Sequence, residues 1–402
     1  METVLKQAEY AHQIAEKEGR CIVYPNQKHA ADKAIQYLLM DGTPLVNLIA
    51  QPGVGKTGTF LEVAIQATTH PDPVRRISVD NLFIITGMSD TDWFNQTYER
   101  MLPAFRPRVF HRNRLIDEAE RYAGSVKVKG APILVIIDES HIAAKPGMTI
   151  HTFLATLAGC NPDTPIQPHH LTDANIHVLA VSATPGAVLR SPMASWSKMH
   201  HRIVTIRPGE SYHGVAHMLK YKRLYKTGSL NDDGFLNKVI HIMSNSFREN
   251  RYHIFRQTTG CSDLYEMFTQ LTHTTLAGWN ILKHDAECRV RDMDSILRIQ
   301  PEVHTIIIIK GFWRASKRLP QDWIGITYDP PVTRVNVSAV IQGLVGRFCD
   351  NSTPRWMGDS SIRDPVHLVP AGAVHQYLKW IVSGFKEDDG GIRKTFVGEV
   401  SL

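Results

Sequence analysis

Short, almost uninterrupted apolar runs recur along the chain. In the first half they are Leu45 to Ile49, Asn81 to Thr86, Arg108 to Asn113, Pro132 to Ile137 and Ile176 to Val181. In the second half they are Tyr252 to Phe255, Asn280 to Lys283, Thr305 to Ile309, Trp323 to Tyr328 and Val366 to Val369. Runs this short and this apolar predict strands covered on both faces, the condition of a parallel sheet between helices. Stretches of helical period separate them. Residues 2 to 18 place Val4, Leu5, Ala8, Ala11, Ile14 and Ala15 on one side and stop at Gly19, and Ala30, Ala31, Ala34, Ile35, Leu38 and Leu39 do the same further on. Helices are also predicted at 235–247 and 374–385. The alternation predicts an α/β chain, and the polar, turn-rich stretch from Lys226 to Gly234 predicts a boundary giving domains 1–226 and 227–402.

The first run leads directly into chemistry. Leu45 to Ile49 is followed by Ala50, Gln51, Pro52, Gly53, Val54, Gly55, Lys56 and Thr57, which fits the phosphate-binding loop with Ala in place of the usual first Gly. Such a loop turns successive N–H groups and a helix N-terminus toward phosphate oxygens. Lys56 then reaches the β and γ phosphates, and the Thr57 hydroxyl completes the shell of a Mg²⁺. The competing reading is a Gly-rich turn that binds nothing. The run from Pro132 ends in Asp138 and Glu139. Asp138 is expected to hold Mg²⁺ through a water and Glu139 to orient the attacking water. Because side chains alternate along a strand, the two carboxylates are expected to leave in different directions. Neither Lys56 nor Glu139 reads as core, so Lys56→Ala and Glu139→Gln are expected to stop ATP turnover without unfolding.

Composition narrows the class. The 402 residues, 43% hydrophobic and 21% charged, describe a globular chain long enough for two cores. A net charge of +6 is compatible with nucleic acid. Five cysteines without C-x-x-C spacing argue against a disulfide framework and a zinc knuckle, and twenty histidines lack partners at zinc spacing. With no apolar run of membrane-spanning length and no signal-peptide pattern, the expectation is an intracellular protein without a membrane partner.

Weaker candidates lie around this frame. Gln27, with an amide that donates and accepts, is a candidate reader of an adenine edge beside a stacking Tyr24 ring; its alternative is a helix cap. Thr86 and Gly87, at the end of a predicted strand, and Arg112 are candidate contacts to a nucleic-acid backbone, against capping and a solvated arginine. Lys310, Gly311, Phe312, Trp313 and Arg314 mix cations with rings as single-strand binding requires, with a solvated basic turn as the equal alternative.

One further strand runs into Ser182-Ala183-Thr184. The ordered set of Ala50 to Thr57, Asp138-Glu139-Ser140-His141 and Ser182-Ala183-Thr184 resembles superfamily two helicases and translocases of the DExH type. The resemblance implies two tandem RecA-like domains, each a mainly parallel sheet flanked by helices, with ATP and Mg²⁺ in the cleft between them. It further implies that Ser182 and Thr184 couple nucleotide to strand movement with His141 in the same relay. Val340 to Arg347 is similar to the last helicase motif, making Gln342 a phosphate contact and Arg347 the arginine finger. Gln342 lies four rather than three residues before Gly346, and Asp350 stands where a second arginine is usual. In style the second half is similar to helicase-related proteins of large DNA viruses and phages. The implied function is ATP-driven movement along, or remodelling of, nucleic acid, DNA before RNA, alone or with a protein partner in a replication, recombination or restriction assembly. The alternatives are a motor subunit of such a complex and a nucleic-acid-binding module with a decayed ATPase.

Overall fold

The apolar runs become parallel strands. The computed structural model describes residues 1–86, 88, 91–126, 130–140, 147–183, 196–258, 263–311, 318–332, 336–351 and 364–385, and the chain divides into two units, Met1–Pro208 and Gly209–Leu402.

In unit 1 the strands are β1 (Leu45–Ala50), β2 (Leu82–Thr86), β3 (Val109–Phe110), β4 (Ile133–Asp138), β5 (Ile176–Ser182) and β6 (His201–Ile206), all parallel in the order β3-β2-β4-β5-β1-β6. Every residue of β1, β2 and β4 is buried, as the uninterrupted apolar patterns require. The helices are α1 (Glu2–Lys17), α2 (Pro25–Ile35), α3 (Lys56–Thr68), α4 (Thr91–Arg100), α5 (Leu115–Arg121), α6 (Thr149–Ala158) and α7 (Pro168–Asp173). Under one face Phe83 packs its ring against Phe110, Tyr122 and Phe153. The strand order separates β1 from β4 by one strand, β5, so their axes lie about 10 Å apart. Register aligns their carboxyl ends: Ile49 stands opposite Ser182 of β5, and Asp138 opposite Val181 of β5 and Thr86 of β2.

Unit 2 repeats the plan. Its strands are β7 (Leu224–Lys226), β8 (Tyr252–Arg256), β9 (Asn280–His284), β10 (Thr305–Ile309), β11 (Ile324–Tyr328) and β12 (Val366–Val369), parallel in the order β7-β12-β11-β8-β10-β9. The helices are α8 (Val215–Lys220), α9 (Asp233–Asn245), α10 (Leu264–Thr272), α11 (Met293–Arg298), α12 (Val337–Ile341) and α13 (Ala371–Val382). Two α/β units in succession along the chain, each a parallel sheet flanked by helices, are therefore the fold.

Three local expectations change. The division falls at Pro208 rather than after residue 226, because Val215–Lys220 is a helix and Leu224–Lys226 an edge strand paired to β12 of unit 2. The turn chemistry at 226–234 is instead a helix start: the Asp232 side chain caps α9 by accepting from Phe235 N at 2.8 Å. The strand predicted at 108–113 is only Val109–Phe110, since His111 caps a 3₁₀ turn at Arg112–Arg114.

Candidate nucleotide-binding site

After Ala50 the chain turns through Gln51, Pro52, Gly53, Val54 and Gly55 and enters α3 at Lys56. Val54 N donates to Gln51 O at 3.3 Å. Gly53 and Gly55 hold φ of +76° and +105°, left-handed angles that a side chain rarely tolerates. Gly55 has a second constraint: a Cβ there would lie 2.0 Å from Gln27 Nε2, and one at Gly58 would lie 2.2 Å from Gln27 Oε1. The Gln27 amide fills that space. Its Oε1 accepts from Tyr24 N at 3.1 Å, closing a capping box on α2, and its Nε2 donates to Val54 O at 3.3 Å. Gln27 is thus the helix cap of the alternative reading and also a brace behind the loop; the Tyr24 ring is exposed.

The first residue of α3 closes the gap across β5. Lys56 Nζ forms an ion pair with Glu139 Oε1 and lies 3.8 Å from Asp138 Oδ1. The three side chains are 12%, 1% and 5% exposed for Lys56, Glu139 and Asp138. The expectation that the carboxylates leave in different directions fails for a local reason. β4 ends at Asp138, and Glu139 has a φ of +52°, so strand alternation no longer governs it and both carboxylates face one ammonium. The expectation that neither Lys56 nor Glu139 belongs to the interior also fails. Asp138 is held further: Oδ1 accepts from Glu139 N at 3.0 Å and Oδ2 accepts from Trp93 Nε1 at 2.8 Å. Burial raises the Asp138 pKa against the pull of Lys56. For Lys56 burial acts downward, but Glu139 and Asp138 outweigh it and the pKa is raised.

Ser182 ends β5 in the buried layer between the two strands, and Ser140 N donates to Val181 O at 3.0 Å. The Ser140 hydroxyl is buried without a partner among the described residues. Thr57, in the first turn of α3, and Asp138 supply hard oxygen donors, and a magnesium ion with its waters and phosphate oxygens needs few of these. The donor set fits that ion. Among the described residues no group of three or more His, Cys, Asp or Glu side chains is arranged to hold a metal alone.

The other candidates of unit 1 are used internally. Thr86 is fully buried and its hydroxyl accepts from Met88 N at 3.2 Å, so it serves the turn and offers nothing at the surface. Arg112 Nε donates to Thr149 Oγ1 at 3.3 Å at the start of α6, which removes the picture of a solvated arginine. Gly87, His141, Thr184 and Arg314 lie outside the described residues.

In unit 2, Arg347 is 3% exposed in a 3₁₀ turn, Val345–Phe348, with Nε donating to Gly343 O at 2.6 Å. Gln342 is buried as well. Within this unit the Arg347 side chain is folded back onto its own turn. Arg347 lies near a buried acid: Asp329, just past β11, pairs with Arg256 at the end of β8. Arg256 Nη1 and Nη2 both donate to Ala339 O, at 3.2 and 3.3 Å. Burial raises the Asp329 pKa, with Arg256 and Arg347 opposing. Asp350, in the place of a second arginine, pairs with Arg318. Lys310 and Gly311, the latter with a φ of +77°, are exposed at the carboxyl end of β10.

Trp93, bonded to Asp138 in unit 1, and the Arg256–Asp329 pair in unit 2 are not revealed by sequence patterns, because their bonds join residues 45 and 73 positions apart. The one signal is physical: a buried tryptophan has an N–H that must find an acceptor.

The strand orders and the loop after β1 define a tandem α/β chain with a phosphate-loop lysine on an acidic pair. No protein-family model matches the sequence, and no curated protein matches it. Among solved structures the fold is similar to that of S. cerevisiae Dbp5 bound to RNA and ADP BeF3, at 13% identity and a TM-score of 0.49 over 91% of this chain and 93% of that one. It is also similar to the E. coli DExH-box NTPase HrpB, at 16% identity and a TM-score of 0.49 over 88% of this chain and 42% of that one. At these identities and scores the likenesses do not bear on activity, substrate or partner. Among the described residues no helix is long and apolar enough to cross a membrane.

Proposed function

We propose that the chain is an ATP hydrolase that moves along or remodels nucleic acid, a helicase or translocase of the DExH type. The observation that supports it best is the convergence of Lys56, from the start of α3, with Asp138 and Glu139, from the end of β4. A Gly-rich turn that bound nothing would have no reason to bury an ammonium on two carboxylates. In this reading the Lys56 ammonium neutralises the pair until a triphosphate enters, then transfers to the β and γ phosphates. The backbone N–H groups of residues 52–57 cradle those phosphates beside the N-terminus of α3. Mg²⁺ supplies charge neutralisation at the β and γ oxygens when bound, and Thr57 and Asp138 are the residues that would hold it. Glu139, released from Lys56, orients and polarises the attacking water.

Arg347 and Gln342 keep their proposed roles toward the transferring phosphoryl group, which requires the Arg347 to Gly343 bond to open. Lys310, Gly311 and Arg314 remain the proposed strand contacts, and Ser182 with Thr184 the coupling segment. The burial of Arg347 favours a second reading, a nucleic-acid-binding module whose hydrolysis has decayed. Phosphate release from ATP, measured with and without single- and double-stranded DNA and RNA, separates the two. Stimulated turnover supports the motor and identifies its polymer; nucleic-acid binding with no turnover supports the module.

A further inference from the structure

Trp93 lies on α4, is 3% exposed, and directs its indole N–H at Asp138 Oδ2 over 2.8 Å. A core tryptophan satisfies its N–H with any nearby acceptor, usually a backbone carbonyl. Here the acceptor is the carboxylate that ends β4 beside the phosphate loop. The two oxygens of that carboxylate are consequently unlike. Oδ2 is occupied by the indole, whereas Oδ1 accepts from Glu139 N and faces Lys56 Nζ at 3.8 Å. The terminal torsion of an aspartate is broad and nearly two-fold, so two oxygens without distinct partners exchange places readily. A charge-assisted bond to one of them sets which is presented. α4 also follows β2, whose Thr86 stands opposite Asp138 in register, so the clamp enters from the neighbouring strand's connection rather than from the loop around Asp138 itself.

We propose that Trp93 is a positioning residue for the magnesium-binding carboxylate, holding Asp138 Oδ2 so that Oδ1 alone is turned to the metal of a bound nucleotide. The proposal rests on the nucleotide-site reading above and adds a residue to it. Removing a hydrogen-bond partner behind a metal ligand typically lowers metal affinity about 10- to 100-fold. The phosphates are gripped by other groups, so nucleotide binding without metal should be unchanged.

Two readouts test it apart from turnover. The first is the indole ¹H–¹⁵N resonance of Trp93, one of seven tryptophans, assigned by its loss in Trp93→Phe. If that variant does not fold, the resonance is assigned by its displacement in Asp138→Asn. It is expected to shift when Mg²⁺ and a non-hydrolysable ATP analogue are added together, and not with the analogue alone. The second is titration of a fluorescent ATP analogue with Mg²⁺. Trp93→Phe should need about tenfold more Mg²⁺ or beyond for half-maximal enhancement, with metal-free affinity at the wild-type value. Equal loss with and without metal, or an unchanged Mg²⁺ requirement beside normal wild-type binding, overturns the inference alone. A wild type with no Mg²⁺-dependent nucleotide binding overturns the site reading and this inference with it.

Discussion

Replacing Lys56 with methionine keeps the aliphatic stem and deletes the charge, leaving Glu139 and Asp138 inside unit 1 without their ammonium. The size of the effect follows from burial. Were the pair at the surface, its loss would cost about 0–1 kcal/mol. The side chains are instead 12%, 1% and 5% exposed, and removing one partner of a buried ion pair costs about 3–5 kcal/mol because the other charge stays behind. With a urea dependence of about 2 kcal/mol per molar, the unfolding midpoint of unit 1 should fall by roughly 1.5–2.5 M. The assay is urea unfolding of the nucleotide-free protein by tryptophan fluorescence, for Lys56→Met, Glu139→Gln and the double variant. Neutralising Glu139 removes the charge that Lys56 leaves uncompensated, so the double variant should be more stable than Lys56→Met by about 1–3 kcal/mol. A Lys56→Met loss below about 1 kcal/mol, or a double variant no better than the single, would refute the buried pair.

Three further outcomes follow from the same geometry. Gly55→Ala places a Cβ at a φ of +105° and 2.0 Å from Gln27 Nε2, so it should cost about 1–3 kcal/mol in thermal unfolding and weaken ATP analogue binding. Arg256→Ala strands Asp329 in the core of unit 2 and should cost about 3–5 kcal/mol, with Arg256→Ala/Asp329→Asn recovering part of it in urea melts. His253 and His367 are fully buried with pKa values well below the usual one, chiefly through burial and secondarily through His304 and Arg251 for the first and Arg223 for the second. Below an unfolded pKa of about 6.5 the unfolded chain binds their protons and the native chain does not, so stability is full above that pH and falls as pH drops, by about 1.4 kcal/mol per histidine at pH 5.5. Unfolding of unit 2 between pH 7 and 5 checks this, and a flat profile would contradict it.

The central strands were legible because burial on both faces leaves a continuous apolar run, as in β1, β2, β4 and β10. β12 was legible to the residue. The edge strand β7 was not: it reads Leu-Tyr-Lys, half exposed, and its neighbourhood carried the polar residues that cap α9, which mimic a linker. The turn between β1 and α3, too, was legible, since its glycines are fixed by backbone angles that local sequence expresses. What sequence could not express was the direction of side chains leaving the regular strand. Glu139 turns through a left-handed angle onto Lys56, Gln27 turns inward against Gly55 and Gly58, and Arg347 bonds its own turn. Each depends on a tertiary neighbour that no spacing encodes.

Glu139→Gln gives the most direct measurement. It retains the shape of the side chain but removes its charge and its ability to polarise water. ATP hydrolysis by purified wild-type protein and Glu139→Gln should be compared with Mg²⁺ and the stimulating nucleic acid, alongside fluorescent-nucleotide binding to each. Nucleic-acid-stimulated turnover is expected in the wild type, and in Glu139→Gln a turnover reduced about a hundredfold or more with nucleotide still bound. Wild-type turnover in the variant, or no nucleotide binding to either protein, would contradict this expectation.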